Sequence, residues 1–334
     1  MKVNRSFVFA CAVFSLIFGV AGFADAATTL KLAGQNPLEH QNSIQMNRLA
    51  EIVDKATKGE LKIKTYPAGQ LGDYTLVYEE ISKGTIDMAL ITIPPQFDAR
   101  QQIIFTPYLV ADYQGLYKLF DKQGWLYKQV EGFHKKMNIK FLGFFMDGLG
   151  GLGLTKAANE PLNPAAKKNV LCRIPNMEIP KETLTAIGFA TVTIPYSDLY
   201  TALQTGVAEG WFGGSAVHSY LGFRDVVKHY YPMNFYAESE QFIISQKVWD
   251  KLSDGQKKLL SDSVDEICKN SIAIAEQEDK MYMKKLEEAG VKVYQYTAKD
   301  LDATVAYVRK NVWPKLGDIL GKDLTEALIK EYSK

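Results

Sequence analysis

The chain has 334 residues, with 39 basic and 38 acidic side chains; the first 26 residues hold two of the former and one of the latter, so the remainder is neutral. That balance excludes a non-specific nucleic-acid binder held by bulk positive charge. An apolar share of 47% excludes a disordered chain, and the length suits two domains able to bury a core without staples.

Met1 to Ala26 reads as a secretory signal peptide. Lys2 and Arg5 form a basic start, Phe7 to Ala24 carries no charge, and Ala24-Asp25-Ala26 is a small-x-small cleavage site. The alternative is an uncleaved anchor, since this apolar stretch sits at the lower limit for spanning a bilayer. No other segment is long enough to span one, so the expected mature chain is exported and soluble. The leader takes Cys11. Cys172 and Cys268 remain, far apart and at no metal or redox spacing, and are expected as two separate buried thiols, although an oxidising compartment permits a disulfide.

Thr28 to Ala33 alternates as a strand. A helix follows, with Leu49, Ile52, Val53 and Ala56 on one face and Gly59 as its stop. Leu61 to Tyr66 is a second strand, Leu71-Gly72-Asp73 opens a helix through Ile81 ended by Gly84, and Ile86 to Thr92 is an apolar strand. This alternation predicts a mostly parallel sheet covered by helices. Tyr113 to Phe120 and Tyr127 to Phe133 read as helices, and Ile139 to Met146 as a buried strand. The glycine-rich stretch from Gly148 to Gly153 suits a crossing between domains. A second α/β unit follows: strand Val170 to Ile174, helix Glu178 to Ile187, strand Thr191 to Ile194, then a helix through Gln204 capped by Ser197-Asp198. Phe242 to Ile244 is a strand. Ser253 and Gln256 have capping-box spacing, and a helical pattern runs from there to Ala289, with Gly290 as its stop. At ~1.5 Å per residue such a helix is roughly 50 Å long, enough to cross both domains.

Gly148, Gly150 and Gly153 fit G-x-G-x-x-G, but Pro161 and Pro164 break the helix that a dinucleotide site needs next. His40, His134, His218 and His229 form no i, i+4 pair and have no cysteine near them in sequence, so no metal site is expected. There is no nucleophile elbow and no Walker loop. Arg173 stands out because it lies at the end of an otherwise apolar strand, Leu171-Cys172-Arg173-Ile174-Pro175. A buried arginine must be paired. Its partner is either an internal carboxylate or the carboxylate of a ligand held bidentately.

Four segments carry a resemblance: Tyr66-Pro67-Ala68-Gly69-Gln70-Leu71-Gly72, Gly84-Thr85-Ile86-Asp87-Met88, Arg173-Ile174-Pro175, and the run from Pro195 to Gly206. In order and spacing, over nearly all of the mature chain, the sequence resembles the substrate-binding subunits of tripartite ATP-independent periplasmic (TRAP) transporters, the DctP-type solute receptors. The resemblance implies an α/β, two-lobed periplasmic binding protein fold with a hinge and a long helix spanning both lobes. It implies a periplasmic receptor that gives its ligand to an ion-driven permease, with no cofactor and no enzymatic activity. The expected division is residues 27–147 plus 238–280 in lobe I and 148–237 plus 281–334 in lobe II. A ligand sensor for a membrane kinase and a periplasmic enzyme on the same scaffold are the alternatives.

The resemblance assigns Arg173 to the ligand's carboxylate. Three departures bear on the ligand. Gly150 stands where sialic-acid-type members have a second arginine, Gly213 replaces an asparagine that helps hold the carboxylate, and Tyr74 follows L-G-D where sugar-acid binders use a polar residue. With Trp211 and Phe212 beside Gly213, these changes point to a carboxylate with an aromatic or bulky apolar body, unless Trp211 and Phe212 merely pack in the core. Thr92, Ile93 and Pro94 are expected to line one side of the cleft, and Met146 and Asp147 the other.

Overall fold

The computed structural model describes residues 27–110 and 112–332; the expected signal peptide lies outside them. The strands are β1 (Thr28–Gly34), β2 (Leu61–Tyr66), β3 (Met88–Ile91), β4 (Ile139–Leu149), β5 (Gly151–Leu154), β6 (Leu171–Ile174), β7 (Ala190–Thr193), β8 (Gly210–Gly214), β9 (His229–Tyr231), β10 (Ala237–Ser245) and β11 (Lys292–Val293). The helices are α1 (Gln41–Ala56), α2 (Tyr74–Lys83), α3 (Tyr113–Leu119), α4 (Trp125–Lys136), α5 (Glu178–Ala186), α6 (Leu199–Thr205), α7 (Ala216–Phe223), α8 (Gln246–Trp249), α9 (Asp254–Glu288), α10 (Ala298–Val312), α11 (Leu316–Leu320) and α12 (Lys322–Tyr332).

Two sheets form, in the orders β2-β1-β3-β10-β4 and β11-β9-β5-β8-β6-β7. In the first, β1 pairs in parallel with β2 and β3, while β10 lies antiparallel between β3 and β4. The expected parallel sheet therefore carries an antiparallel insertion. Strand β10 was legible only as Phe242 to Ile244, because its first half contains Glu238 and Glu240, residues that rarely stand in a buried strand. Both are buried.

The local signals act as their chemistry dictates. Asp73 caps α2 by accepting from the Leu76 amide, and Gly84 closes that helix at φ +79°, a conformation glycine adopts at no steric cost. Ser253 and Gln256 form a reciprocal capping box at the start of α9, which runs for 35 residues. The expected cap at Ser197-Asp198 does not form. Tyr196–Asp198 is a 3₁₀ turn continuing into α6, and neither side chain accepts a capping bond.

The two sheets meet where β4 ends and β5 begins. Gly148 at φ +134° has no space for a side chain: a Cβ would stand 2.4 Å from Cβ of Ser215. The glycine-rich stretch is thus a close backbone crossing. Helix α9 ties both sheets together. The Met146 amide donates to Ser271 Oγ at 2.8 Å and the Leu149 amide to Asp279 at 3.1 Å, while Tyr282 and Leu286 further along join the core around Trp211 and Tyr230. The C-terminal helices also touch two regions: Trp313 Nε1 donates to the Pro107 carbonyl at 2.9 Å, and Lys315 pairs with Glu182 on α5 at 2.6 Å. Cys172 and Cys268 are separately buried free thiols, as expected. No helix among the described residues is long and apolar enough to cross a membrane.

Candidate functional site

A cleft of about 810 Å³ opens between the two sheets, with Gly72 and Tyr74 on one side and Pro195, Tyr196 and Tyr200 on the other. Adjoining it is a chamber of about 40 Å³. Gln35, Tyr74 and Tyr196 line both, so the two spaces share walls.

Arg173 forms the charged wall of the chamber. Strand β6 places it opposite Val192 of β7 and Trp211 of β8. It is 3% exposed. Its Nε donates to the Ile194 carbonyl at 2.8 Å, and the guanidinium carbon lies 5.9 Å from the centre of the Tyr196 ring. Among the described residues no carboxylate comes within 4.0 Å of its nitrogens. Burial pulls its pKa down, and Tyr74, Tyr196, Tyr236 and Glu238 pull it back up. An arginine keeps its charge even so, leaving a buried cation with no carboxylate at salt-bridge distance among the described residues.

The rest of the chamber is largely aromatic: Tyr74, Phe105, Tyr196 and Tyr236. Burial raises the phenol pKa of Tyr74, Tyr196 and Tyr236, so these rings present neutral hydroxyls. Thr92 is fixed to Gln35 by two bonds, its amide to Oε1 at 3.0 Å and its Oγ1 from Nε2 at 3.1 Å. Gly213 completes the wall. A Cβ there would lie 3.7 Å from Arg173 Nη1, on a backbone at φ +129°.

Of the residues singled out from sequence, Arg173, Tyr74, Thr92 and Gly213 thus converge on the chamber. Trp211, Phe212, Ile93, Pro94, Met146, Asp147 and Gly150 do not line it. Trp211 is 1% exposed and packs into the core with its ring 4.8 Å from that of Phe223. The neighbouring glycines serve this ring: a Cβ on Gly214 or Gly153 would fall 2.2 or 2.6 Å from it. Phe212 lies against Tyr236 at 5.0 Å between centroids, and a Cβ on Gly150 would stand 2.8 Å from that same Tyr236 ring. The space made by these glycines is taken by protein aromatics. Ile93 and Met146 belong to the apolar core, and Pro94 is buried.

Residues 32–316 match the bacterial extracellular solute-binding proteins, family 7 (DctP). The chain belongs to this family. It is a TRAP-type solute receptor and not an enzyme. The sialic acid-binding periplasmic protein SiaP of Vibrio cholerae serotype O1 is 24% identical over 255 residues, covering 75% of this chain and 78% of that protein. A TRAP periplasmic solute binding protein from Desulfovibrio salexigens, solved with bound orotic acid, superposes with a TM-score of 0.82 at 21% identity, covering 91% of this chain and 97% of its own. A second, from Haemophilus influenzae RdAW with bound L-gulonate, gives 0.82 at 18% identity, covering 92% and 99%. The two-lobed α/β architecture expected from sequence is the architecture of this group.

Next to the receptor's chamber lies a buried polar cluster of which only Asp147 was singled out from sequence as a site residue; His40 and His218 were noted without a role. Asn36 and Asn42 donate to the two oxygens of Glu240 at 2.7 and 2.6 Å. Asn42 also reaches Asp147 Oδ2 at 3.4 Å. The His40 and His218 rings are 4.7 Å apart, and His218 and Glu238 face the chamber. Burial pushes Glu238 up to about 7 and Glu240 up to about 8. It also raises Asp147, with Glu240 and Glu238 adding repulsion. His218 is pushed down to about 4 by burial. The signal available in sequence was the A-E-S-E-Q run leading directly into Phe242 to Ile244.

Proposed function

We propose that this receptor captures a carboxylate with an aromatic or bulky apolar body in the periplasm and delivers it to the membrane subunits of an ion-driven permease. The observation that carries the reading is Arg173, a buried cation at the wall of a chamber with no internal carboxylate partner. A ligand carboxylate would supply the missing anion through charge-assisted bonds, which strengthen when water is excluded. The chamber, at about 40 Å³, suits the acid head. The body would extend into the cleft along Tyr74 and Tyr196, whose rings offer stacking surface. In this reading Thr92 and Gly213 shape the wall beside Arg173, while Trp211 and Phe212 support it from behind. The relatives solved with orotic acid and L-gulonate also hold acids.

Capture proceeds by closure of lobe I (27–147 plus 238–280) on lobe II (148–237 plus 281–334), with the crossings at β4–β5 and β9–β10 as the hinge. The ligand stabilises the closed form because only that form encloses it. The leader through Ala26 would direct export, and the mature protein recovered from the periplasm should begin at Ala27.

A thermal-shift screen of carboxylates tests the proposal. A ligand at ~100 times its Kd adds ~2.7 kcal/mol of stability. Aromatic acids such as indole or phenyl acids should raise the melting temperature most. If only sugar acids or dicarboxylates raise it, the aromatic reading is wrong. If no acid does, the carboxylate reading is wrong.

A further inference from the structure

We propose that Asp147, His218 and Glu240 bind one divalent transition-metal cation of the zinc or manganese type beside the ligand chamber. The three residues come from the end of β4, from α7 and from β10, so no sequence spacing reveals them. Each offers one ligand atom, and these atoms all lie within 4.8 Å of one another. All three side chains are buried.

Two further observations point to a cation. Asp147 is 4% exposed, yet its Oδ1 has no hydrogen-bond partner. Among the described residues no lysine or arginine lies within 4.0 Å of Asp147, Glu238 or Glu240. Buried carboxylates need a counter-charge or a proton, and a dication would supply the charge where three of them gather.

The surrounding bonds favour a metal ligand at His218. Ser215 Oγ donates its hydrogen to the Asp147 carbonyl at 2.8 Å. At its 3.3 Å contact with His218 Nδ1 the serine must therefore accept, which puts the ring proton on Nδ1 and leaves the Nε2 lone pair free. Asn36 and Asn42 orient the Glu240 carboxylate as outer-shell donors. One imidazole with two carboxylates suits zinc or manganese better than calcium, which takes six to eight oxygens. Because His218 also lines the chamber, a remaining coordination position would lie close to a bound acid.

The test uses the mature protein after chelator treatment. Titration calorimetry with Zn²⁺ and Mn²⁺, and visible absorption with Co²⁺ as a probe, should show one tight equivalent. His218→Gln and Asp147→Asn should each weaken it about tenfold or more, with folding checked by circular dichroism. Arg173→Ala should leave it unchanged, which separates this site from the proposed acid site. No stoichiometric uptake by the wild type, or uptake unaltered in both His218→Gln and Asp147→Asn, would overturn the proposal. So would a wild-type melting temperature that does not respond to metal while Asp147→Asn raises it, since protons would then be neutralising the cluster.

Discussion

His134 and His218 are both buried, and burial pushes both down to about 4. Their partners differ. His134 has Tyr78 Oη 3.2 Å from Nδ1 and Gln241 Oε1 2.7 Å from Nε2, with Phe141 stacked at 5.5 Å. Both nitrogens are used, and the residue is structural. Among the described residues His218 has a protein partner only at Nδ1, and it faces the chamber. The arginines repeat the contrast: Arg100 is bonded to Asp98, whereas Arg173 has no acid. Burial alone does not mark a functional group. The unfilled hydrogen-bonding and charge capacity of a buried group does.

The largest effect expected on the structural side is at Trp211. Trp211→Ala should cost ~3–5 kcal/mol of stability, measured by denaturant unfolding, while the folded fraction keeps its affinity for the acid. A loss of affinity exceeding the loss of stability would put Trp211 back in the site. His134→Ala should leave the Tyr78 hydroxyl and Gln241 without a partner at ~1–3 kcal/mol each, again without changing affinity. A change in ligand affinity at unchanged folded fraction would erase the contrast with His218.

A smaller effect concerns pH in chelator-treated protein. Glu238 and Glu240 are raised from 4.5 to about 7 and about 8. Their protonated forms contribute stability that is fully present below about pH 4.5 and lost as pH rises through those folded values. His134 and His218, lowered from 6.5 to about 4, contribute stability present above pH 6.5 and lost as pH falls through about 4. Among these four groups the terms oppose below 6.5 and only the glutamates act above it; Asp147, which burial also raises, acts in the same direction as the glutamates. The melting temperature should therefore fall between pH 6.5 and 8, and the Glu238→Gln/Glu240→Gln double variant should remove most of that fall. Its persistence in the double variant would assign it to other groups.

The elements were legible where local chemistry decides them. Asp73 and Gly84 bounded α2, Ser253 and Gln256 opened α9, and Leu61 to Tyr66 is β2 residue for residue. Strand β8 and the C-terminal helices were not read. Glycines mask the first, and the second group is held largely by contacts distant in sequence, such as Trp313 with Pro107. Arg173 was legible because a cation in an apolar strand demands a partner. The aromatic character of the chamber was also legible, but its rings are Tyr74, Tyr196, Tyr236 and Phe105 rather than Trp211 and Phe212. Glycines at 150, 153 and 214 open space that only a three-dimensional structure shows to be filled from within. The acidic cluster stayed hidden because Asp147 lies on a different strand from Glu238 and Glu240, and glutamates are almost never fully buried unless paired.

The most direct measurement is titration calorimetry of Arg173→Ala against the wild type, using the acid that gives the largest thermal shift. Removing this buried cation from the chamber wall should cost ~2–5 kcal/mol of binding, by analogy with buried interfacial charge pairs, with the fold intact. Wild-type affinity in that variant would contradict a receptor that holds its ligand by a carboxylate at Arg173.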